Sequence, residues 1–125
     1  MFGKDTKIIM GDKQHKSIQE IRAGEFVKTL LGNKKVVKVH KKKETGMKFI
    51  FSDGFKVVVT SSQEFLLPSN EWKKASLLQE GDLVAKPDNT SAKIVDITPL
   101  DVMTSYGLAV DNEGSYILTN GMFVR

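Results

Sequence analysis

The sequence contains one short frame twice, at a constant separation along the chain. Residues 8–27 align without a gap over residues 65–84, so that Gly24 matches Gly81, 57 positions further on. Each copy reads as an apolar strand, a polar turn, a short apolar turn of helix, and then glycine, an acid and two apolar residues. Such self-similarity predicts two halves related by duplication, neither of which buries its apolar face alone. The repeat therefore restricts the chain to pseudo-symmetric β folds.

Length and composition are those of one ordinary globular domain. The chain has 125 residues, of which 40% are hydrophobic and 27% charged, enough for a single core. We expect one domain over residues 1–125, with pseudo-symmetric halves at roughly 1–60 and 61–125. No apolar run approaches a membrane span, and residues 1–7 lack the apolar centre of a signal peptide. We therefore expect a cytoplasmic monomer with no membrane association.

Sulfur and imidazole chemistry have little place in this chain. Cysteine is absent, which excludes disulfides, thiolate metal sites and a cysteine nucleophile. The two histidines, His15 and His40, lie in lysine-rich surroundings and are interpreted as surface side chains instead of zinc ligands. We expect no metal and no cofactor.

Most of the chain reads as short extended segments broken by turns. Single helical turns are predicted at 18–21 and 75–78, where apolar residues recur three apart. Strands are predicted at 7–10, 26–30, 47–51, 55–59, 83–86, 93–97, 106–110, 115–118 and 122–124. Many short strands separated by turns are typical of a compact all-β domain.

Glycines mark the positions where the chain is expected to reverse. Gly24 is expected to end the first helical turn in a left-handed conformation. Asp53-Gly54 and Asn120-Gly121 predict two-residue type I′ hairpins, and Gly32-Asn33 predicts a further hairpin turn. Residues 87–91 are the only linker-like stretch and are interpreted as a surface loop.

The positive charges concentrate in one predicted strand. The net charge is +4, and valines at 36, 37 and 39 make this segment a strand with basic flanks. Its lysines are Lys34, Lys35, Lys38, Lys41, Lys42 and Lys43. Such a strand can contact nucleic-acid phosphates, or it can be an exposed edge strand whose lysines prevent edge-to-edge pairing. The edge interpretation is favoured because no aromatic residue interleaves to stack on bases.

Five segments in order along the chain resemble the motifs of one family. They are residues 1–8, with threonine five positions after the first residue, residues 59–66, residues 72–84, residues 106–110 and residues 116–124. The chain resembles a Hint domain, the horseshoe-shaped all-β fold shared by inteins and the autoprocessing part of hedgehog proteins. The resemblance covers essentially the full length. It implies a horseshoe of short antiparallel strands with an internal pseudo-twofold and one or two short helical turns.

The resemblance also implies where splicing chemistry would take place. Met1 stands where the family has a thiol or hydroxyl nucleophile, and a thioether has no proton to lose and forms no stable acyl linkage. Thr60 matches a family threonine, but Gln63 stands where a histidine would protonate the leaving nitrogen. An amide donates a hydrogen bond yet exchanges no proton near neutral pH.

The C-terminal motifs depart from the family in the same way. Gly107 follows Tyr106 where the family often has aspartate, and Gly114 lies near the place of a histidine. Arg125 stands approximately where the family has the histidine of its final His-Asn pair, and that asparagine is not in the sequence. These positions are therefore expected to keep the fold without the chemistry.

Three functional hypotheses follow. The first is an intein-like domain inactive in splicing, acting as a structural or interaction module or persisting as a relic that contacts the flanking segments of a phage or microbial host protein. The second is a mini-intein that splices once its natural ends are restored. The third is a basic β module that contacts nucleic acid through Lys34 to Lys43. The first is preferred because all the chemical positions are changed together.

Overall fold

The duplicated frame of the sequence corresponds to a duplicated set of elements in the structure. The computed structural model describes residues 1–112 and 114–125. The described residues form twelve strands and two 3₁₀ turns, Ile18–Glu20 and Ala75–Leu77. The strands are β1 (Phe2–Gly3), β2 (Lys7–Ile9), β3 (His15–Ser17), β4 (Phe26–Thr29), β5 (Gly32–Phe51), β6 (Lys56–Thr60), β7 (Glu64–Leu66), β8 (Trp72–Lys74), β9 (Leu83–Lys86), β10 (Thr90–Val110), β11 (Tyr116–Ile117) and β12 (Phe123–Val124).

The repeat is visible at the level of single hydrogen bonds. Strands β2, β3 and β4 recur as β7, β8 and β9, with one 3₁₀ turn inside each set. The Met10 amide donates to the Gln14 carbonyl at 2.8 Å, and the matching Leu67 amide donates to the Glu71 carbonyl at 2.8 Å. The matched glycines that follow have φ of 95° and 94°, the left-handed geometry predicted for the first of them. The two copies of the frame therefore fold alike.

Two long antiparallel strands form the spine of the molecule. β5 has 20 residues and β10 has 21, and they pair from Val36 opposite Val110 to Phe51 opposite Ile94. The sequence predicts separate short strands at 47–51, 93–97 and 106–110 instead, and that division is wrong. The long strands continue because register shifts in β10, one of them just after Pro99, absorb the residues that interrupt the pattern.

Strand pairing closes part of the sheet on itself. The six-stranded sheet has the order β4-β5-β6-β1-β10-β9, and the additional pairing of β5 with β10 joins its inner strands into a ring. Two smaller sheets, β11-β12-β7-β8 and β2-β3, complete the fold. No helix in the described part of the chain is long and apolar enough to cross a membrane.

The predicted hairpins occur where expected, but with a different turn geometry. Gly54 and Gly121 have φ of 87° and 97°, whereas Asp53 and Asn120 keep negative φ. Type I′ turns need positive φ at both central residues, so that assignment is wrong. The Gly54 amide donates to the Phe51 carbonyl at 2.9 Å, which makes each loop three residues long with glycine last.

Two further turns correct the sequence predictions. The hairpin expected at Gly32-Asn33 turns earlier, because Gly32 already pairs with Thr29 across the turn. Positive φ at two successive residues occurs at Asp88 and Asn89, at 62° and 58°. The stretch interpreted as a surface loop is therefore a tight turn, and its last two residues already belong to β10.

The core lies where the two halves meet, and a cluster of aromatic rings lies within its mainly aliphatic side chains. The rings of Phe2 and Phe65 meet edge to face at 6.4 Å, and those of Phe2 and Tyr116 at 6.1 Å. Phe49 and Phe51 approach Phe65 from the other side at 6.0 and 6.4 Å. All five side chains are buried, and burying each stabilises the fold by roughly 1.5–3 kcal/mol.

Candidate functional site

One buried glutamine connects the two ends of the chain. The Met1 α-amine donates to Gln63 Oε1 at 2.7 Å and to Thr60 Oγ1 at 3.0 Å. Gln63 Nε2 donates to the Arg125 carbonyl at 3.0 Å. Gln63 and Thr60 are 3% and 1% exposed. Four residues predicted from the sequence therefore come together in one place.

Short backbone contacts place these groups. Phe2 pairs with Val59 of β6, and the Thr60 amide donates to the Met1 carbonyl at 2.9 Å. The Gln63 amide donates to the Thr60 carbonyl at 3.1 Å, and the Gln63 carbonyl accepts from the Ala75 amide at 2.7 Å. Since Ala75 starts the second 3₁₀ turn, the duplicated frame itself holds the glutamine in position.

Gly107 has no side chain, and this leaves room for the side chain of Met1. It lies inside β10 and is buried, and a Cβ built on it would lie 2.9 Å from Met1 Cγ. Glycine inside a strand commonly marks a close approach by another group. The Met1 side chain therefore occupies the volume that a side chain at position 107 would need.

Arg125 is fixed by its side chain as well as by its carbonyl. Its Nε and Nη2 atoms lie 3.2 and 3.4 Å from the two carboxylate oxygens of Glu64. The guanidinium carbon lies 4.6 Å from the centre of the Trp72 ring, within the range of a cation–π contact. Next to it, Val124 pairs with Phe65. The last residue is thus anchored to β7 and β8.

The electrostatics of the site involve an acid that the sequence analysis missed. Burial lowers the pKa of the Met1 α-amine from 8.0 to about 6, and the Glu44 carboxylate opposes that shift. The pKa of Glu44 is itself lowered, chiefly by a hydrogen bond from Lys42 and further by one from Thr60. Glu44 lies inside a lysine-rich run of the sequence, and the pairing of Gly46 with Thr60 in the structure brings it near the site.

Gly114 is the one predicted site residue that the described contacts leave apart. It is exposed, has a φ of 79°, and its amide donates to the Val110 carbonyl at 3.3 Å. Within residues 1–112 and 114–125, none of its hydrogen bonds reaches Gln63. Its glycine identity is explained by the positive φ of a turn.

The lysines of the basic segment do not share one face. Because side chains alternate along a strand, Lys38 and Lys42 project to one side of β5 and Lys41 and Lys43 to the other. Lys41 Nζ lies 5.9 Å from the centre of the Tyr106 ring on the partner strand, and Lys42 pairs with an acid at 3.0 Å. A nucleic-acid contact through all six lysines stays a prediction, and it would have to involve side chains on both faces of β5.

The edge-strand interpretation of that segment needs qualification. β5 pairs with β10 along most of its length, with β4 at its beginning and with β6 near its end. Lys34 and Lys35 lie opposite β4, whereas the later part of the segment, from Lys38 to Lys43, has one edge without a pairing among the described strands. The edge-strand interpretation therefore applies to the later part of the segment and not to Lys34 and Lys35.

Comparison with known proteins identifies the fold. No protein-family model and no curated protein sequence matches the chain. Solved structures do match: the gp41-1 intein at 21% identity and a TM-score of 0.87, covering 99% of this chain and 96% of that one. A DnaB intein from Synechocystis sp. PCC 6803 is 19% identical with a TM-score of 0.86, again covering 99% and 96%.

A third structure extends the likeness beyond inteins proper. A bacterial intein-like domain from Clostridium thermocellum is 17% identical with a TM-score of 0.86, covering 99% of this chain and 96% of that one. At such identities the likeness shows the fold. The chain therefore has the all-β Hint fold of inteins, as the resemblance of its motifs predicts.

Proposed function

We propose that this chain is an intein-fold domain that holds two flanking segments of a host protein side by side without splicing them. The observation that carries the proposal is the double contact of Gln63. Its amide oxygen accepts from the Met1 nitrogen, and its amide nitrogen donates to the Arg125 carbonyl. The site keeps the hydrogen bonds that orient two chain ends and has lost the groups that move protons between them.

The first chemical step has no nucleophile. Splicing starts when the side chain of the first residue attacks the preceding carbonyl and forms an ester or thioester. The thioether of Met1 has neither a proton to lose nor a way to form a stable acyl bond. Its carbon chain packs against Gly107 instead, so the side chain has a packing role.

The proton transfers have no donor either. Gln63 can orient the scissile amide but cannot protonate its leaving nitrogen. The Arg125 guanidinium stays charged at any physiological pH and is engaged by Glu64 and Trp72. Both features favour a module that anchors its flanks over one that cleaves them.

The test is a splicing assay on the unaltered sequence. Residues 1–125 are inserted between two reporter proteins, and the products are followed on denaturing gels with and without hydroxylamine, which traps esters and thioesters. We expect the full-length precursor as the only species. The matched control carries Met1→Cys, Gln63→His and Arg125→His with an asparagine placed after position 125, and there cleavage or ligation is expected.

Ligated reporters from the unaltered sequence would overturn the proposal and favour the mini-intein hypothesis. Release of the N-terminal reporter by hydroxylamine alone would also contradict it, because that product requires an acyl intermediate at position 1. In this proposal, the physiological partners are the flanking segments of the host chain.

A further inference from the structure

A small cationic cleft is lined mostly by residues of the first half of the chain, and neither Met1, Gln63 nor Arg125 belongs to its wall. It has a volume of about 220 Å³, and its wall includes Lys4, Lys7, Lys48 and Lys56. Lys48 lies opposite Val58, and Lys56 lies opposite Ile50. Because side chains alternate along each strand, Lys48 and Lys56 project from the same face of the β5–β6 hairpin. Lys4 lies between β1 and β2, and Lys7 is the first residue of β2.

The positive charge of the cleft is not neutralised by neighbouring acids. Within residues 1–112 and 114–125, no carboxylate lies within 4.0 Å of any of these four ammonium groups. The one acid in the wall, Asp5, accepts a hydrogen bond from the neutral amide of Gln19 at 2.6 Å and offsets only one of the four lysine charges. The cleft therefore concentrates like charges, which is unfavourable unless an anion is bound.

The duplication supplies an internal comparison for this cleft. Lys4 and Lys7 correspond, 57 positions further on, to Ser61 and Glu64 in the second half. The second copy folds through the same backbone hydrogen bonds with a hydroxyl and an acid at these places. The fold thus requires no lysine at either position, and the cationic character of the first copy is a separate property.

The remaining wall residues indicate recognition by charge. The Thr6 hydroxyl already donates to the Gly3 carbonyl at 2.7 Å, and the Thr119 hydroxyl is paired with His15 Nδ1. The volume is below the range of about 300–1,000 Å³ typical of pockets for drug-sized ligands. A compact ligand with several negative charges fits these features, and lysine ammonium groups bind phosphates as point charges.

We propose that this cleft binds a di- or triphosphate group. The ligand chemistry is the phosphate chain, and its source is either an inorganic polyphosphate or the tail of a nucleotide. The proposal is independent of splicing, since among the described residues no side-chain hydrogen bond of these four lysines reaches Met1, Gln63 or Arg125.

Calorimetric titration of the 125-residue protein with inorganic tripolyphosphate tests the proposal. We expect saturable binding that weakens as salt is raised. The double substitution Lys48→Gln and Lys56→Gln should weaken binding at least tenfold. The matched control, Lys38→Gln and Lys42→Gln, removes the same charge from β5 outside the cleft and should change the affinity less than twofold.

Thermal unfolding provides a second readout that a purely structural role would not give. Without ligand the cleft double variant should unfold at a higher temperature than the parent, because repulsion is relieved. With tripolyphosphate the parent should gain stability and the variant should not. The conservative pair Lys48→Arg and Lys56→Arg keeps both charges and should keep the gain.

Two results would overturn the proposal. One is the absence of saturable heat with tripolyphosphate, and the other is an equal loss of affinity in the cleft and control variants, which would mean that only overall charge is sensed. A parallel titration with ATP separates the sources. Equal affinity supports recognition of the phosphate chain alone, and tighter binding supports the same site with an added contact to the nucleoside.

Discussion

At the scale of single residues, the orientation of the Gln63 amide is decided by its surroundings. Its oxygen faces the Met1 amine and its nitrogen faces two carbonyls, those of Glu64 and Arg125. A flipped amide would set donor against donor and acceptor against acceptor. Histidine, which the resemblance to Hint domains implies at this position, also offers one donor and one acceptor, so glutamine makes the same kind of connection without a titratable proton.

Gly107 and Met1 are expected to depend on each other. Gly107→Ala places a methyl group about 2.9 Å from Met1 Cγ and should lower the free energy of unfolding by about 1–3 kcal/mol, the usual cost of overpacking. In a fusion in which another residue precedes position 1, adding Met1→Ala should recover most of that loss. Urea unfolding of the four members of this cycle measures the coupling, and strictly additive effects would contradict the packing argument.

The buried α-amine should make stability depend on pH. Burial lowers its folded-state pKa from 8.0 to about 6, so between these values the unfolded chain binds more protons. Stability should therefore rise with pH through this window, by up to about 2 kcal/mol. Urea unfolding at the two ends of the window measures the rise. Acetylation of the amine should abolish it, and a rise of equal size in the acetylated protein would assign the effect to other groups.

At the scale of elements, the fold is assembled from a unit used twice. Each copy contains a three-residue strand, a short loop, a second strand, a 3₁₀ turn and a four-residue strand. The unit is too small to bury its apolar side chains, so it becomes stable only on packing against its counterpart. Its glycines at 24 and 81 are needed for backbone geometry, since a Cβ on either would meet nothing within 4 Å.

Equal substitution of these two glycines tests the equivalence of the copies. Gly24→Ala and Gly81→Ala should each lower the free energy of unfolding by about 1–2 kcal/mol, because φ of 95° and 94° forces an L side chain into the left-handed region. Chemical denaturation of both variants measures the costs. Values that differ by more than about 1 kcal/mol would show that the two turns are not energetically equivalent.

At the scale of the whole molecule, a strand of only two residues closes the sheet. β1 has two residues, yet it pairs with β6 on one side and β10 on the other and so completes the ring of strands. Its Phe2 ring packs against Phe65 and Tyr116. The segment that carries the first residue of the site is therefore also a central part of the core.

Loss of the Phe2 ring should destabilise the whole fold. Phe2→Ala is expected to lower the free energy of unfolding by about 3–5 kcal/mol, because the side chain is fully buried. Phe26→Ala is the matched control, since that ring is 50% exposed and should cost less than about 1 kcal/mol. Similar costs at the two positions would mean that β1 does not organise the core.

Local features of this protein were accessible from the sequence because they depend on neighbours along the chain. The two helical turns, the left-handed glycine at position 24 and the positions of the Asp53-Gly54 and Asn120-Gly121 hairpins follow from patterns within some twenty residues, and the repeat follows from comparing two such stretches. The grouping of Met1, Thr60, Gln63 and Arg125 was also predicted, through the resemblance to Hint domains. Turn types were not, because Asp-Gly and Asn-Gly are compatible with more than one loop length.

Tertiary structure alone decided the features that join distant residues. The fusion of short predicted strands into β5 and β10, the approach of Glu44 to Thr60, the packing of Met1 on Gly107 and the convergence of four lysines in one cleft all depend on strand register. Register is set by bulges and by burial across the whole sheet, which no short window of sequence contains. The sequence by itself determined the repeated unit and the residues at the positions matched to the Hint motifs, and the pairing of the two units determined what surrounds them.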